Sequence, residues 1–582
     1  MERKNQAKIG AYLCREKGEI SDRIDLEEVA AFLKQFDDVI DVGIFDELAS
    51  KEGIDYLISR YLEKKFDRIL IGGAIPNIQG ETIRNALATA GMNRYLFEMV
   101  NLREQCAWVH PNKHEATKKA KSLMLGGLER VRRLRPLEDI IIPIKDAVLV
   151  IGGGVAGMAA ALEIAKAGHQ VYLVEREKEL GGRAFKLATT FPTHNCGICC
   201  MQYCKECIFT PKIEDVERNP FIEIMLNTQI VEITGGFGNR HVKLLQNGRE
   251  RELDVGVIVV ATGSKTFDPV RIPSYSYGKS KDILTSMEFI DIMKQADITG
   301  LKRPSDGTIP KVVNFVLCVG SRDAAKGNPH CSLVCCTYTI GIAKEVKKLH
   351  PGTDVYIHYI DLRGPYRGFE EFCAEAREMG IRFVRGKVAE IVPENDKLIV
   401  RAEDTDTGAL LNIESDLVVL AVGQEPSEGT EKLSKMLHIQ TDVDKFMKDV
   451  NPMMPPQIRR GIYIAGCAQG PKGIRYSIDD AKTIAQEIVE LLNSGKINVE
   501  RITAQVNEER CRGCGRCAEV CVFKAISLVP KEGKKVAVVD EFLCEGCGAC
   551  AAACCNKAMS VNYYEHDSIE SIICALVQEV RE

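Results

Sequence analysis

The chain has 582 residues, 45% of them hydrophobic and 27% charged, with a formal net charge of −5. That length predicts three or four domains, the composition is that of an ordinary globular protein, and the net charge argues against a nucleic-acid partner. The 23 cysteines accompany a polar, charged start, MERKNQAKIGAYLCREKGE, with no signal-peptide pattern, and no apolar run reaches the roughly 18 residues of a membrane span. They therefore read as metal ligands and thiols of a cytoplasmic protein rather than as disulfides.

The first 136 residues read as a small α/β domain. A strand at Ile9 to Cys14, an amphipathic stretch from Leu26 to Phe36, a strand at Arg68 to Ile71 and a helix from Glu81 to Ala90 alternate along it. Gly72-Gly73 without a longer motif marks a turn rather than a phosphate loop. Arg103, His110 and His114 read as surface or interface residues, since no nucleophile accompanies them. The charged segment Arg130 to Pro136 reads as a solvated helix end leading to the next domain, with a docking patch for an acidic ferredoxin as the sharper alternative.

From Asp146 an apolar strand runs into Gly152-Gly153-Gly154-Val155-Ala156-Gly157, followed by a helix from Met158 to Ala167 and a strand from Gln170 to Val174 ending at Glu175. Gly152 makes the tight turn, Gly154 lets backbone approach a pyrophosphate, and Gly157 lets the helix pack on the strand. Glu175 stands where it would accept the ribose hydroxyls. The order of strand, turn, helix, strand and acid predicts a dinucleotide site. Gly181-Gly182-Arg183 follows. A strand then ends in Ala261-Thr262-Gly263-Ser264, and Gly461 to Ala465 leads to Gly466-Cys467.

Between these pieces lie two cysteine groups. Cys196, Cys199, Cys204 and Cys207, with Cys200 as an alternate, are enough for one Fe–S cluster; a zinc site and a redox-active thiol pair compete with that reading. Further on, a strand from Lys311 to Leu317 runs into Cys318 with no Gly-x-Gly-x-x-Gly after it, and Cys331, Cys335 and Cys336 follow. One thiol at a strand end and three at a helix opening are expected to converge on a cubane, with Cys331 and Cys335 sharing a helix face at i, i+4.

The last eighty residues carry the spacing Cys-x-x-Cys-x-x-Cys-x-x-x-Cys twice: Cys511, Cys514, Cys517, Cys521, and Cys544, Cys547, Cys550, Cys554. This is the pattern of a ferredoxin with two [4Fe–4S] clusters, the fourth cysteine of each run ligating the other cluster. Val522 and Cys555 depart from the usual proline. Two zinc sites would not explain a duplicated run of four.

The fingerprints around Gly152, Ala261 and Gly466 resemble the FAD domain of thioredoxin-reductase-like flavoproteins, with Cys467 where those carry an aspartate against the ribityl chain. Over nearly its whole length the chain resembles the A-type flavin and iron–sulfur subunit of heterodisulfide reductase, through Asn101 to His110, Glu115 to Thr117, Phe191 to Thr193, Cys318 to Asp323, Cys331 to Cys336, Ala465 to Pro471 and the two ferredoxin runs. The resemblance implies an α/β protein with three parts: the N-terminal domain 1–136, a thioredoxin-reductase-like FAD domain 145–500 and a ferredoxin domain 501–582. It also implies an oxidoreductase that works in a hetero-oligomer and splits electron pairs at FAD. One electron goes to ferredoxin, the other to a disulfide or another acceptor on a partner subunit. The implied partners are B/C-like subunits of heterodisulfide reductase, ferredoxin and an electron-donating hydrogenase or dehydrogenase. Rival readings are an NAD(P)H-dependent flavin iron–sulfur oxidoreductase and a non-bifurcating electron wire. Relatives also carry a ferredoxin module inserted in the flavin domain, whereas Gly235 to Gly263 is expected to pass directly from loop to strand. They carry an N-terminal cluster as well, but Leu48 to Ser50 and Ala74 to Pro76 stand where its ligands are expected beyond Cys14, which predicts its loss here.

Overall fold

The computed structural model describes residues 7–186, 213–325, 327–364, 367–448 and 457–578. It divides into two compact units, Met1–Ile141 with Asn498–Glu582, and Ile142–Ile497. The two ends of the chain thus pack as one body.

In the first unit four parallel strands stand in the order Val39–Phe45, Ile9–Cys14, Arg68–Gly73, Phe97–Asn101. Ile9–Cys14 is buried along its whole length, as a strand covered on both faces must be. The long helix Lys113–Arg133 packs on this sheet and receives the C-terminal helix His566–Gln578. Gly126 makes the approach close, because a Cβ there would lie 3.4 Å from Ile572. Beside it Arg130 is ion-paired to the buried Glu98 and sits 4.8 and 4.9 Å from the ring centroids of Tyr563 and Tyr564. The Tyr563 hydroxyl donates to the Phe97 carbonyl at 2.5 Å, and Glu500 receives both Arg84 and Arg94.

These contacts leave little free charge for the docking-patch alternative at Arg130, Arg132 and Arg133, whereas Arg135 is exposed. Residues up to Arg133 belong to the helix, Arg132 is held by Asp38 and Glu129, and Arg133 by Glu129. Their charge is spent inside the unit.

The ferredoxin segment of this unit pairs Ala504–Val506 with Met559–Val561 and forms a hairpin from Ile526–Lys531 and Lys534–Val539. Two five-residue helices, Arg516–Val520 and Ala549–Ala553, follow the two cysteine loops.

The second unit contains two doubly wound halves. The first has a six-stranded sheet in the order Gln457–Arg459, Ile462–Ile464, Val257–Val260, Ala147–Ile151, Gln170–Val174, Ile222–Met225, parallel except at its first strand. The second has a five-stranded parallel sheet in the order Ile283–Thr285, Leu417–Val422, Val312–Val319, Asp354–Tyr359, Ile381–Arg385. Gly235 to Gly263 does not pass directly from loop to strand. It includes the end of Thr228–Gly236 and the strands Asn239–Gln246 and Arg249–Val255 of an antiparallel sheet before Val257–Val260. Turn glycines at Gly238 and Gly248 make those hairpins. Among the described residues no helix is long and apolar enough to cross a membrane.

Breaking a buried ion pair leaves one charge uncompensated and costs about 3 kcal/mol or more. Glu98→Ala is therefore expected to lower the unfolding free energy of the first unit by that amount in anaerobic urea titrations. A change below about 0.5 kcal/mol would show that this pair does not hold the two chain ends together.

Candidate functional site

In the second unit the strand Ala147–Ile151 delivers the backbone to a glycine turn, and the helix Val155–Lys166 begins immediately after it. Gly152 has φ +112, and a Cβ there would lie 2.4 Å from the Ala261 carbonyl. A Cβ on Gly157 would stand 1.8 Å from the Gly152 carbonyl, so these two glycines are required by packing. Gly154 differs: its φ is −76 and a Cβ would meet nothing within 4 Å. It faces open space because it lines a cavity of about 1090 Å³.

Gly152, Val155, Ala156, Glu175, Gly182 and Arg183 line the same cavity, as do Ala261, Thr262, Gly263 and Cys467. Gly157 and Gly466 stand behind the lining, Gly466 donating its N–H to Asp480 at 3.2 Å. Glu175 lies at the end of its strand, where its carboxylate accepts from the N–H groups of Gly153 at 2.7 Å and Glu177 at 2.9 Å. The acid is thereby fixed against the phosphate turn. Arg183 donates to Ser264 and to Gln424, and the Cys467 thiol faces the Lys472 carbonyl at 3.4 Å. The free helix N-terminus, the open space at Gly154 and the oriented acid fit a dinucleotide such as FAD.

A thiol group adjoins this cavity. Cys318 ends the strand Val312–Val319 at a break in register with Leu417–Val422 and has φ +60; such bulges re-aim a side chain. Cys335 and Cys336 open the helix Cys335–Leu349. Cys331 does not share that helix face as expected: it lies in the loop before the helix, because Leu333 takes φ +58 and delays the helix start. The four thiols nevertheless sense one another. Burial, then Cys336, with Cys331 adding, pushes Cys318 up to about 11 against the opposing Arg322. Burial, then Cys318, Cys336 and Cys331, raises Cys335 well above the ordinary thiol range. Thiols held protonated by burial suit a ligand set whose protons a metal core displaces.

Two residues of this region are silent in the sequence. Tyr338, one turn along from Cys335, lines the cavity, lies 3.2 Å from the Ser286 hydroxyl and hydrogen-bonds Cys335. Cys373, buried on the helix Phe369–Glu378, stands near Cys336. Only spacing i, i+3 from Cys335 could have pointed to Tyr338, and nothing local points to Cys373. The run Cys196, Cys199, Cys204, Cys207 lies outside the described residues.

In the ferredoxin segment Cys521, Cys544, Cys547 and Cys550 line one small cavity, three from the second run and the fourth from the first. Cys550 is pushed up to about 11 by burial, then by Cys544, with Cys547 and Cys521 adding. Cys511 and Cys514 act on Cys517 in the same way. Among the described residues no three His, Cys, Asp or Glu side chains are arranged to hold a single metal ion.

The model of the pyridine nucleotide-disulphide oxidoreductase family matches residues 146–481, and that of the 4Fe-4S dicluster domain matches 510–558. An A-type iron–sulfur subunit of CoB–CoM heterodisulfide reductase from Methanopyrus kandleri is 35% identical over 669 positions, covering 100% of this chain and 99% of its own. This chain belongs to the family of heterodisulfide reductase A-type subunits. The alignment exceeds its 582 residues, so that relative contains sequence with no counterpart here. The A-type subunit of the H2:CoB–CoM heterodisulfide,ferredoxin reductase of Methanothermobacter thermautotrophicus is 32% identical, covering 90% of this chain and 91% of its own. Thioredoxin reductase of T. acidophilum superposes with a TM-score of 0.40 at 16% identity, covering 60% of this chain and 99% of that one. The protein is an oxidoreductase carrying FAD and, in its C-terminal segment, two [4Fe–4S] clusters.

Gly154→Ala tests the cavity's occupant. The substitution meets no protein atom, so the chain is expected to fold with unchanged secondary structure while its bound flavin, measured by absorbance, falls at least tenfold and its thermal midpoint falls with the lost ligand. Full flavin occupancy in the variant would place the pyrophosphate elsewhere.

Proposed function

We propose that this protein splits electron pairs at FAD, sending one electron to ferredoxin and the other to a disulfide or another acceptor on a partner subunit. The observation that carries this reading is the helix Cys335–Leu349. Its start presents Cys335 and Cys336 to the thiol group, while Val334, Thr337 and Tyr338 line the cavity. A one-electron acceptor held by Cys318, Cys331, Cys335 and Cys336 would share a wall with the flavin. Bound FAD supplies the exchange between a two-electron and two one-electron transfers.

The same half of the unit argues against direct NAD(P)H binding. Where a nicotinamide-binding half needs free N–H groups around a phosphate, Ser321 donates to Cys318, Arg322 to His330 and Asp323 to Asn328, at 3.0–3.2 Å. Gly320 leaves no room either, since a Cβ there would stand 2.1 Å from the Phe267 ring. The turn is closed on itself. Electrons therefore arrive from a partner, for which a hydrogenase or dehydrogenase subunit is proposed. Ferredoxin, which the name of a relative includes, and heterodisulfide reductase B/C-like subunits are proposed as the takers.

Three measurements on the anaerobically purified chain test this. NAD(P)H should leave the flavin spectrum unchanged; direct bleaching would restore the NAD(P)H-dependent reading. Cys335→Ala should lose the iron of one cluster while flavin stays bound, and undiminished iron would remove the shared wall from the argument. Potentiometric titration should show the flavin taking its two electrons as a pair, whereas two well-separated single-electron steps would favour a simple wire.

A further inference from the structure

The two ligand runs of the ferredoxin segment are copies, so a difference at matched positions is a difference between their two sites. The backbones match closely. Gly513 and Gly546 have φ +66 and +63, and a Cβ on either would strike a carbonyl, of Lys535 at 2.3 Å or Ile502 at 2.1 Å. Gly515 and Gly548 have φ +82 and +77. The N–H groups aimed at sulfur match too. Ala537 donates to Cys511 at 3.5 Å and Ala558 to Cys554 at 3.3 Å, while Ala504 donates to Cys544 at 3.2 Å and Ala525 to Cys521 at 3.3 Å. One outer cysteine of each loop, Cys514 and Cys547, is exposed. Exposure differs at the fourth ligand, Cys554 being half-buried and Cys521 buried, and hydrogen bonding does not separate the sites.

Charge does. Arg510, Arg512 and Arg516 surround the first loop, and the matched positions of the second are Leu543, Glu545 and Ala549. From Arg510 to Cys521 the only acid is Glu519, whereas from Leu543 to Cys554 there is no base. All three arginines are exposed, and no ion pair engages Arg510 or Arg512 among the described residues. Arg516 reaches to 3.7 Å from the Cys555 sulfur, next to Cys554, which in the crossed arrangement completes the first site. The approaches to the loops do not add to this difference: Asp540 and Glu541 lead into the second, Glu541 paired with Arg501 at 3.2 Å, and Glu508 and Glu509 lead into the first, Glu508 paired with Lys531 at 2.6 Å. Positive charge favours the reduced, more negative state of a cluster, and negative charge disfavours it.

We propose that the cluster held by Cys511, Cys514, Cys517 and Cys554 is the more oxidising of the two, and that its arginine rim docks an acidic one-electron carrier protein. Each encounter moves one electron and no atom: the carrier is reduced as this cluster is oxidised, and in the reverse direction the reduced carrier is oxidised as this cluster is reduced. A basic rim around an exposed ligand steers such a carrier and makes its association fall with ionic strength.

The test uses the full chain with all cofactors. In an EPR-monitored redox titration the two clusters should titrate at separate midpoints. The Arg512→Gln/Arg516→Gln variant should lower only the higher one, by about a tenfold change in the reduced-to-oxidised ratio, ~59 mV for one electron. Glu545→Arg, which leaves the first loop untouched, should raise only the lower midpoint and so decides the matter if the arginine variant loses iron. Stopped-flow reduction by an acidic two-[4Fe–4S] ferredoxin should slow as salt rises, and at low salt should be at least tenfold slower in the Gln variant. Coincident midpoints, equal shifts of both clusters, or a rate indifferent to salt would each overturn the proposal.

Discussion

Electron transfer between buried groups falls steeply with distance, so a flavin and its one-electron acceptor must share a wall. In the proposed reading the start of the helix Cys335–Leu349 builds that wall. Cys335 lies on one side, Tyr338 faces the cavity on the other, and a hydrogen bond joins them. Much of the second unit positions this turn. The strand Val312–Val319 breaks register to present Cys318, and the loop from Gly320 to His330 closes on itself with its own backbone. A fold that elsewhere receives a nicotinamide phosphate at this position instead has its N–H groups satisfied and its thiols gathered.

The glycine turn was legible because its requirements are local. Gly152 and Gly157 are demanded by contacts with Ala261 and with each other, and Gln170–Val174 with Glu175 follows at the distance the sheet sets. The duplicated cysteine runs were legible for the same reason, their spacing being that of a loop around one cluster. What stayed hidden depends on single backbone angles or on distant partners. Leu333 at φ +58 holds Cys331 off the helix, and no propensity marks a leucine for that region. Tyr338 gains its place only when Ser286 packs against it, 52 residues away in sequence.

The packing of the chain ends was hidden most completely. Sequence periodicity separates residues 1–136 from 501–582, but among the interactions joining them is Arg130 between Glu98 and the rings of Tyr563 and Tyr564. A run of arginines at the end of a helix looks like a solvated or docking surface from sequence alone. Its neutralisation by Asp38, Glu98 and Glu129 is a property of the assembled sheet. An exposed basic surface lies at the first cysteine loop of the ferredoxin segment, around Arg510, Arg512 and Arg516.

Building one unit from both ends of the chain also orders its biosynthesis. The sheet Ile9–Asn101 and its helix Lys113–Arg133 leave the ribosome several hundred residues before Tyr563 and Ile572 exist to cover Glu98, Arg130 and Gly126. Until then that face lacks the side chains that cover it in the finished fold. Nascent chains that stall within the flavin unit would carry an N-terminal sheet without the residues that cover Glu98 and Arg130.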